Sequence, residues 1–300
     1  MKKRVLVLAM IAALGLAGCG GDDDNGSDET GASSGGTENG TGAGSQGPDQ
    51  SGGSGSETGA PPPTPDPDPE GPPPALGGTG TDCMDPAWLA AGATYGLDYD
   101  ISGLLTGTSI SEARVIGRTD FAGYSAFETE VTTTTTYTGL PPAQTAVKSY
   151  SDSLGGGLLE QYGNTSAADV MGMTSTTVTT YVPPWRMTKW TLSAGQSEPY
   201  SYEFSTETTI TGAPVAIPPQ ITTGTESGTW TYEGQESVTV PLGTFQACRF
   251  RTESGGSVIT EWYDLKSKSG LALKITTVST EGTLVMEMTR GELNGQPLTP

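Results

Sequence analysis

Across residues 83–300 the chain has almost no helical rhythm. β-Branched and aromatic residues alternate with polar ones in short runs, and Gly, Pro and Asn separate the runs. A period of two gives a strand one apolar and one watered face, so this pattern points to antiparallel sheet. The threonine-rich runs at 131–137, 176–181 and 204–211 suit extended backbone because branching at Cβ stiffens χ1. They predict half-exposed strands; a binding face of Thr hydroxyls is the alternative reading. The pairs Pro141-Pro142, Pro183-Pro184 and Pro218-Pro219 cannot donate to a ladder and predict loops or sheet edges. Gly155–Gly157 predicts a turn, with no Lys-Ser/Thr after it to make a phosphate loop.

A faint internal echo refines the architecture. Glu236–Glu253, Trp262-Tyr263-Asp264 and Gly270-Leu271-Ala272-Leu273-Lys274 resemble Glu112–Phe121, Ala126–Glu130, Tyr150–Asp152 and Gly156–Leu159 at an offset of about 120 residues. The alternatives are a true repeat, with units near 95–170 and 172–293, and chance similarity between low-complexity strands. In a repeat each unit is a small meander: Pro241-Leu242-Gly243 turns the chain, the strand after Phe245 pairs back on Val238–Val240, and the Trp262-Tyr263 strand pairs onto that. The expected fold is therefore all-β, an antiparallel curved sheet or half-barrel of two meander units, forming one sheet or two lobes.

The string Val-Thr-Val-Pro-Leu-Gly-Thr-Phe at 238–245, followed by Cys248, Trp262-Tyr263 and Gly270-Leu271, resembles a motif of uncharacterised bacterial envelope proteins in domain-of-unknown-function families. The resemblance covers about 40 residues, from Glu236 to Lys274. It implies a curved sheet like that of lipoprotein-carrier half-barrels and supplies no catalytic residue. The stretch 264–269 departs from the family's shorter Pro-Gly turn, which puts that hairpin's geometry in question.

The N-terminus carries an address. Met-Lys-Lys-Arg, an apolar run from Val5 to Leu16 and then Leu16-Ala17-Gly18-Cys19 form the three regions of a signal peptide, residues 1–18. The cleavage site resembles a bacterial lipobox, which implies palmitate-type acylation of Cys19 and a membrane partner bound through that anchor. An ordinary secretory peptide is the alternative. Roughly twelve apolar residues are too few for a spanning helix. Gly20 in place of aspartate favours, by the same resemblance, the outer membrane, with periplasmic and surface faces both open. Residues 19–82 hold twelve acids, no Lys or Arg and a proline-rich stretch from Pro61 to Pro74. Such a composition cannot offset the entropy of ordering and predicts a disordered tether.

The whole chain has 34 acids and 14 bases. Twelve of the acids lie in the tether and three of the bases in the signal peptide, so 22 acids face 11 bases in residues 83–300. That surface repels phosphate backbones and predicts no nucleic-acid partner. Besides Cys19 there are Cys83 and Cys248. Export permits a disulfide between them, and two separate buried thiols are the other reading.

Histidine is absent, which removes Ser-His-Asp and Cys-His chemistry and the commonest zinc ligand. Carboxylate pairs remain, Asp98 with Asp100 and Glu128 with Glu130, each two apart on one strand face. With so many acids such pairs arise by accident, and a carboxylate hydrolase is the third-ranked function. The acidic run 22–28 lacks the spacing of a calcium loop, so no metal site is expected. Trp88, Trp185, Trp190, Trp230 and Trp262 either build the core or line a ligand groove; of these Trp185, Trp190, Trp230 and Trp262 are the binding candidates. The reading is an envelope lipoprotein, not an enzyme and without cofactor, whose β domain binds an apolar ligand or an envelope protein. A structural module without a pocket is the runner-up.

Overall fold

The structure is a computed structural model that describes residues 77–170, 173–212 and 217–300. The expectations for the signal peptide, for Cys19 and for the tether up to residue 76 lie outside the described residues. Twelve long strands follow one another: β1 Thr94–Gly103, β2 Gly107–Phe121, β3 Tyr124–Tyr137, β4 Ala143–Gly155, β5 Leu158–Val170, β6 Met173–Met187, β7 Ser197–Thr211, β8 Gln220–Val240, β9 Gly243–Ser254, β10 Ser257–Asp264, β11 Ala272–Ser279 and β12 Gly282–Leu293. A two-residue β13, Gln296–Pro297, turns back onto β12. Each strand pairs antiparallel with its sequence neighbour, and β1 also pairs with β12, Tyr95 against Leu293 through Gly103 against Leu284.

That last ladder closes the sheet, which corrects the expected half-barrel: this is an up-and-down barrel of twelve strands. Closure removes both long edges, where unpaired N–H and C=O groups would otherwise invite aggregation. The three threonine-rich runs lie in β3, β6 and β7, and most of their side chains are half-exposed. Hydroxyls bond across the ladders there, Thr179 to Thr206 at 3.1 Å and Ser111 to Thr133 at 2.9 Å. The Pro241–Gly243 turn and the order β8–β9–β10 run as the hairpin reading requires. The two-unit repeat is not seen. Glu112–Phe121 lies within the single strand β2, whereas its supposed counterpart, 236–245, crosses the turn from β8 to β9.

Eight strands enclose just enough room for their own side chains, and the diameter grows with strand number. Twelve strands therefore need extra filling. At the end where β1 begins, the chain ahead of β1 supplies it. Cys83, Met84 and Leu89 pack with Trp190 and Leu192, from the β6–β7 connection, against Trp230, Tyr232, Phe250 and Tyr263. Contacts with the barrel begin inside the segment read from sequence as tether, since the Gly78 carbonyl accepts from Ala194 N and Gly80 N donates to the Leu192 carbonyl. Cys83 and Cys248 form a disulfide with a Cα–Cα distance of 6.1 Å. Beside this plug, Tyr95, Leu97, Tyr99 and Ile101 from β1 pack with Val238, Val240 and Phe245 of the β8–β9 hairpin, Leu271 and Leu273, and Met286 and Met288 of β12.

Inside the plug sits a charge. Lys189 is almost fully buried, and its Nζ donates to Glu261 Oε2 and to Tyr263 Oη, both at 2.9 Å. The burial and the neighbouring Glu261 carboxylate push the Tyr263 hydroxyl well above its usual pKa.

Candidate functional site

The barrel wall opens between β6 and β7, and proline chemistry explains why. Pro183 and Pro184 lie within β6 rather than in a loop, which corrects that expectation. Neither has an N–H to give to β5 or to β7. On the β5 side the register jumps from Gly163 against Thr180 to Gln161 against Trp185, so one residue of β5 opposes four of β6. On the other side the β6–β7 ladder ends at Tyr181 against Phe204. Beyond it Val182–Met187 and Ser197–Glu203 diverge, leaving a slot of about 710 Å³. Pro184, Trp185, Arg186, Glu160, Glu198, Tyr200, Tyr202 and Glu203 are among the residues around it.

The slot has an aromatic floor. Glu198, Tyr200, Tyr202 and Phe204 alternate along one face of β7, as a strand's two-residue period dictates. Trp185 lies 4.3 Å from Tyr202 between ring centroids and 5.6 Å from Trp230, while Tyr200 stacks on Trp230 at 4.3 Å. Offset and edge contacts of this kind add to plain area burial. Across β8 the Tyr200 and Phe204 side chains cover Gly228 and Gly224, where a Cβ would meet the Tyr200 hydroxyl and a Phe204 ring carbon at 2.7 Å. Those glycines let the rings lie flat on the sheet and hold the floor in place.

The rim is acidic. Glu160 accepts from Arg186 Nε at 3.1 Å and from Tyr162 Oη at 3.1 Å. Glu198 and Glu203 form no ion pair among the described residues. In the ladder beside Trp185, Gln161 Nε2 and Ser151 Oγ are buried without a hydrogen-bond partner. Buried polar atoms of this sort ordinarily bond water or a ligand.

The four tryptophan candidates separate. Trp185 lines the slot, and Trp230 supports it from the core at 4 % exposure. Trp190 is buried in the plug, edge-on to Phe250 and Tyr263 at 5.0 and 4.7 Å. Trp262 lies half-buried on the opposite face of β10 from Tyr263, its indole N–H on Glu236 Oε1. Trp88 packs edge-on to Tyr95 and donates to Met84 Sδ at 3.3 Å. Sequence reasoning missed Tyr200, Tyr202 and Glu198, although Glu-x-Tyr-x-Tyr-x-Phe at 198–204 is a two-residue aromatic period beside a Pro-Pro break. Lys148 bridges Glu128 and Glu130 at 2.8 and 2.7 Å, and Arg290 bonds both oxygens of Asp98 at 3.0 and 3.1 Å, whereas Asp100 is exposed. Among the described residues no three His, Cys, Asp or Glu side chains gather as a metal site.

No family model matches the chain. No curated protein matches it either. Among solved structures it is similar to a β-barrel-like protein of a domain of unknown function, DUF1849, from Brucella abortus. That likeness has a TM-score of 0.31 and 8% identity, and it covers 68% of this chain and 99% of the other.

Proposed function

We propose that the barrel is a non-enzymatic binding module and that the slot between β6 and β7 is its site. The observation that carries the reading is the break at Pro183-Pro184, which opens a cleft floored by Trp185, Tyr200 and Tyr202. A volume of about 710 Å³ suits a small ligand, and flat aromatic faces with a few polar groups at the rim are the usual lining of such sites. Of the carboxylates around the slot, Glu160 is held by Arg186, and Glu198 and Glu203 have no ion pair among the described residues. In this reading the chain is an envelope lipoprotein held at the outer membrane through acylated Cys19, with residues 20–76 as the spacer.

Two experiments test it. Native mass spectrometry of the full mature chain, purified from its own envelope, is expected to show a bound small molecule that Trp185→Leu loses while the fold persists by circular dichroism. Ligand-free spectra from every preparation overturn the binding reading and favour a structural module. For the address, Cys19→Ala is expected to abolish palmitate labelling and to release the chain from membranes; unchanged membrane association refutes the anchor.

A further inference from the structure

The two lips of the slot are joined by the β6–β7 connection, and the chain ahead of β1 is bonded to that same connection. Thr79 bridges Ser193 antiparallel, the Gly78 carbonyl accepts from Ala194 N, and Gly80 N donates to the Leu192 carbonyl. Thr188 at the start of the connection lines the slot, as do Glu198 and Pro199 just past its end. Directly ahead of Gly77, the first described residue, the sequence reads Gly71-Pro72-Pro73-Pro74-Ala75-Leu76. A polyproline helix rises about 3.1 Å per residue, so the chain from Thr79 back to Pro72 reaches roughly 20 Å. The stretch of β7 beyond its ladder to β6, residues 197–203, is about as long at roughly 3.3 Å per residue.

The mouth of the slot and this segment match in chemistry. Val182 is 59% exposed, and Pro183, Pro184 and Pro199 line the slot near it, so the lips present apolar surface to water. Leu76 is the only large apolar side chain between residues 20 and 82, and residues 71–78 carry no charge. Asp66, Asp68 and Glu70 stand further back, and the carboxylates of Glu160, Glu198 and Glu203 around the slot repel them, which confines docking to the uncharged part. Trp185, Tyr202 and Trp230 are already packed on one another. The segment asks none of these rings for a free face; it needs a fixed, ridged apolar wall, against which a stiff proline run docks at little entropic cost.

We propose that residues 72–76 form a strap that lies in polyproline conformation along the mouth of the slot, with Leu76 and the proline rings against Val182, Pro183, Pro184 and Pro199. The short link to Thr79 holds the strap there at an effective concentration on the order of millimolar, so weak contacts suffice. The strap goes beyond the ligand reading and stands without it; where a small ligand also binds, the strap is the cover that it displaces.

A photo-reactive side chain locates the strap. With Ala75 replaced by p-benzoylphenylalanine in the full mature chain, cross-links are expected within one chain on residues 182–185 or 197–200. Adding Pro72→Ser, Pro73→Ser, Pro74→Ser and Leu76→Ser keeps the reach but removes the stiffness and the apolar groups, and is expected to lower that yield about fivefold or more. Undiminished yield means proximity without docking and overturns the strap. These substitutions lie ahead of the residues that bond the barrel, so the fold persists. Hydrogen exchange on the full mature chain without the photo-reactive residue gives a second readout: in the quadruple Ser variant the amides of residues 185–187 and 200–203 are expected to exchange about tenfold faster. Unchanged exchange overturns the strap, and overturns it alone when native mass spectrometry still finds a ligand that Trp185→Leu loses. Faster exchange with ligand-free spectra supports the strap and overturns only the ligand. Cross-links found solely between two chains, rising with concentration, overturn the strap in favour of a contact between copies.

Discussion

Replacing Lys189 by Met isolates the buried charge in the plug. The methionine keeps most of the stem's volume but removes Nζ, with its two 2.9 Å hydrogen bonds to Glu261 and Tyr263 and its position over the Trp190, Phe250 and Tyr263 rings. The side chains of Lys189 and Glu261 are only 5% and 14% exposed, so solvent does not take over the role of the lost partner. Breaking one side of such a pair strands the other charge and costs about 3–5 kcal/mol. That is a large share of the roughly 5–15 kcal/mol that holds a domain folded. Removing both charges, as in Lys189→Met with Glu261→Leu, strands nothing, and replacing a buried pair by apolar groups is often close to neutral. The double variant is therefore expected within about 1–2 kcal/mol of the parent. The two single losses sum to far more, which gives a coupling of about 3 kcal/mol or greater. Urea unfolding followed by tryptophan fluorescence measures all four corners of the cycle, with Trp190 beside the substituted position as a reporter. A cost below about 1 kcal/mol for Lys189→Met alone would refute the reasoning, because it would mean that Glu261 remains hydrated inside the plug.

Three further outcomes are expected. The Cys83–Cys248 bond closes a 165-residue loop, so Cys83→Ala with Cys248→Ala is expected to cost up to about 5 kcal/mol in the chain-entropy model; free-thiol labelling of both cysteines in the unreduced parent would refute the link. Gly163 has φ +152° where β5 bulges, and a Cβ there meets the Phe121 ring at 2.8 Å, so Gly163→Ala is expected to lower stability by about 1–3 kcal/mol in thermal unfolding. Burial, reinforced by the Asp82 charge, pushes the Tyr232 hydroxyl up to about 12. A raised folded-state value makes Tyr232's contribution fully present below its unfolded pKa near 10 and lost as pH rises toward 12, so Tyr232→Phe is expected to flatten the decline in stability over that range, and an unchanged alkaline profile would count against it.

How much of this was legible beforehand follows from the range of each signal. Strand character in β3, β6 and β7, the Pro241–Gly243 hairpin and the Gly155–Gly157 turn were readable because alternation and turn chemistry act over a few residues. The slot was half-readable: the Pro183-Pro184 pair announced a broken ladder but not that the break lies inside a strand. Tyr200 and Tyr202 carried a local signal, a two-residue aromatic period beside the Pro-Pro pair. Lys189 carried none, since a lone lysine gains meaning only when Glu261, seventy-two residues away, folds against it.

The amino-acid sequence alone determined that residues 83–300 build antiparallel sheet, that imidazole chemistry is absent, and where several turns fall. Those properties live in composition and in short-range period. Tertiary structure alone decided that the sheet closes, because β1 and β12 meet from opposite ends of the domain in a register set by accumulated twist and bulges. It also decided that the chain ahead of β1 plugs the barrel and that a proline bulge opens one seam beside an aromatic floor. Each of those depends on which distant residues become neighbours, and no local pattern encodes that.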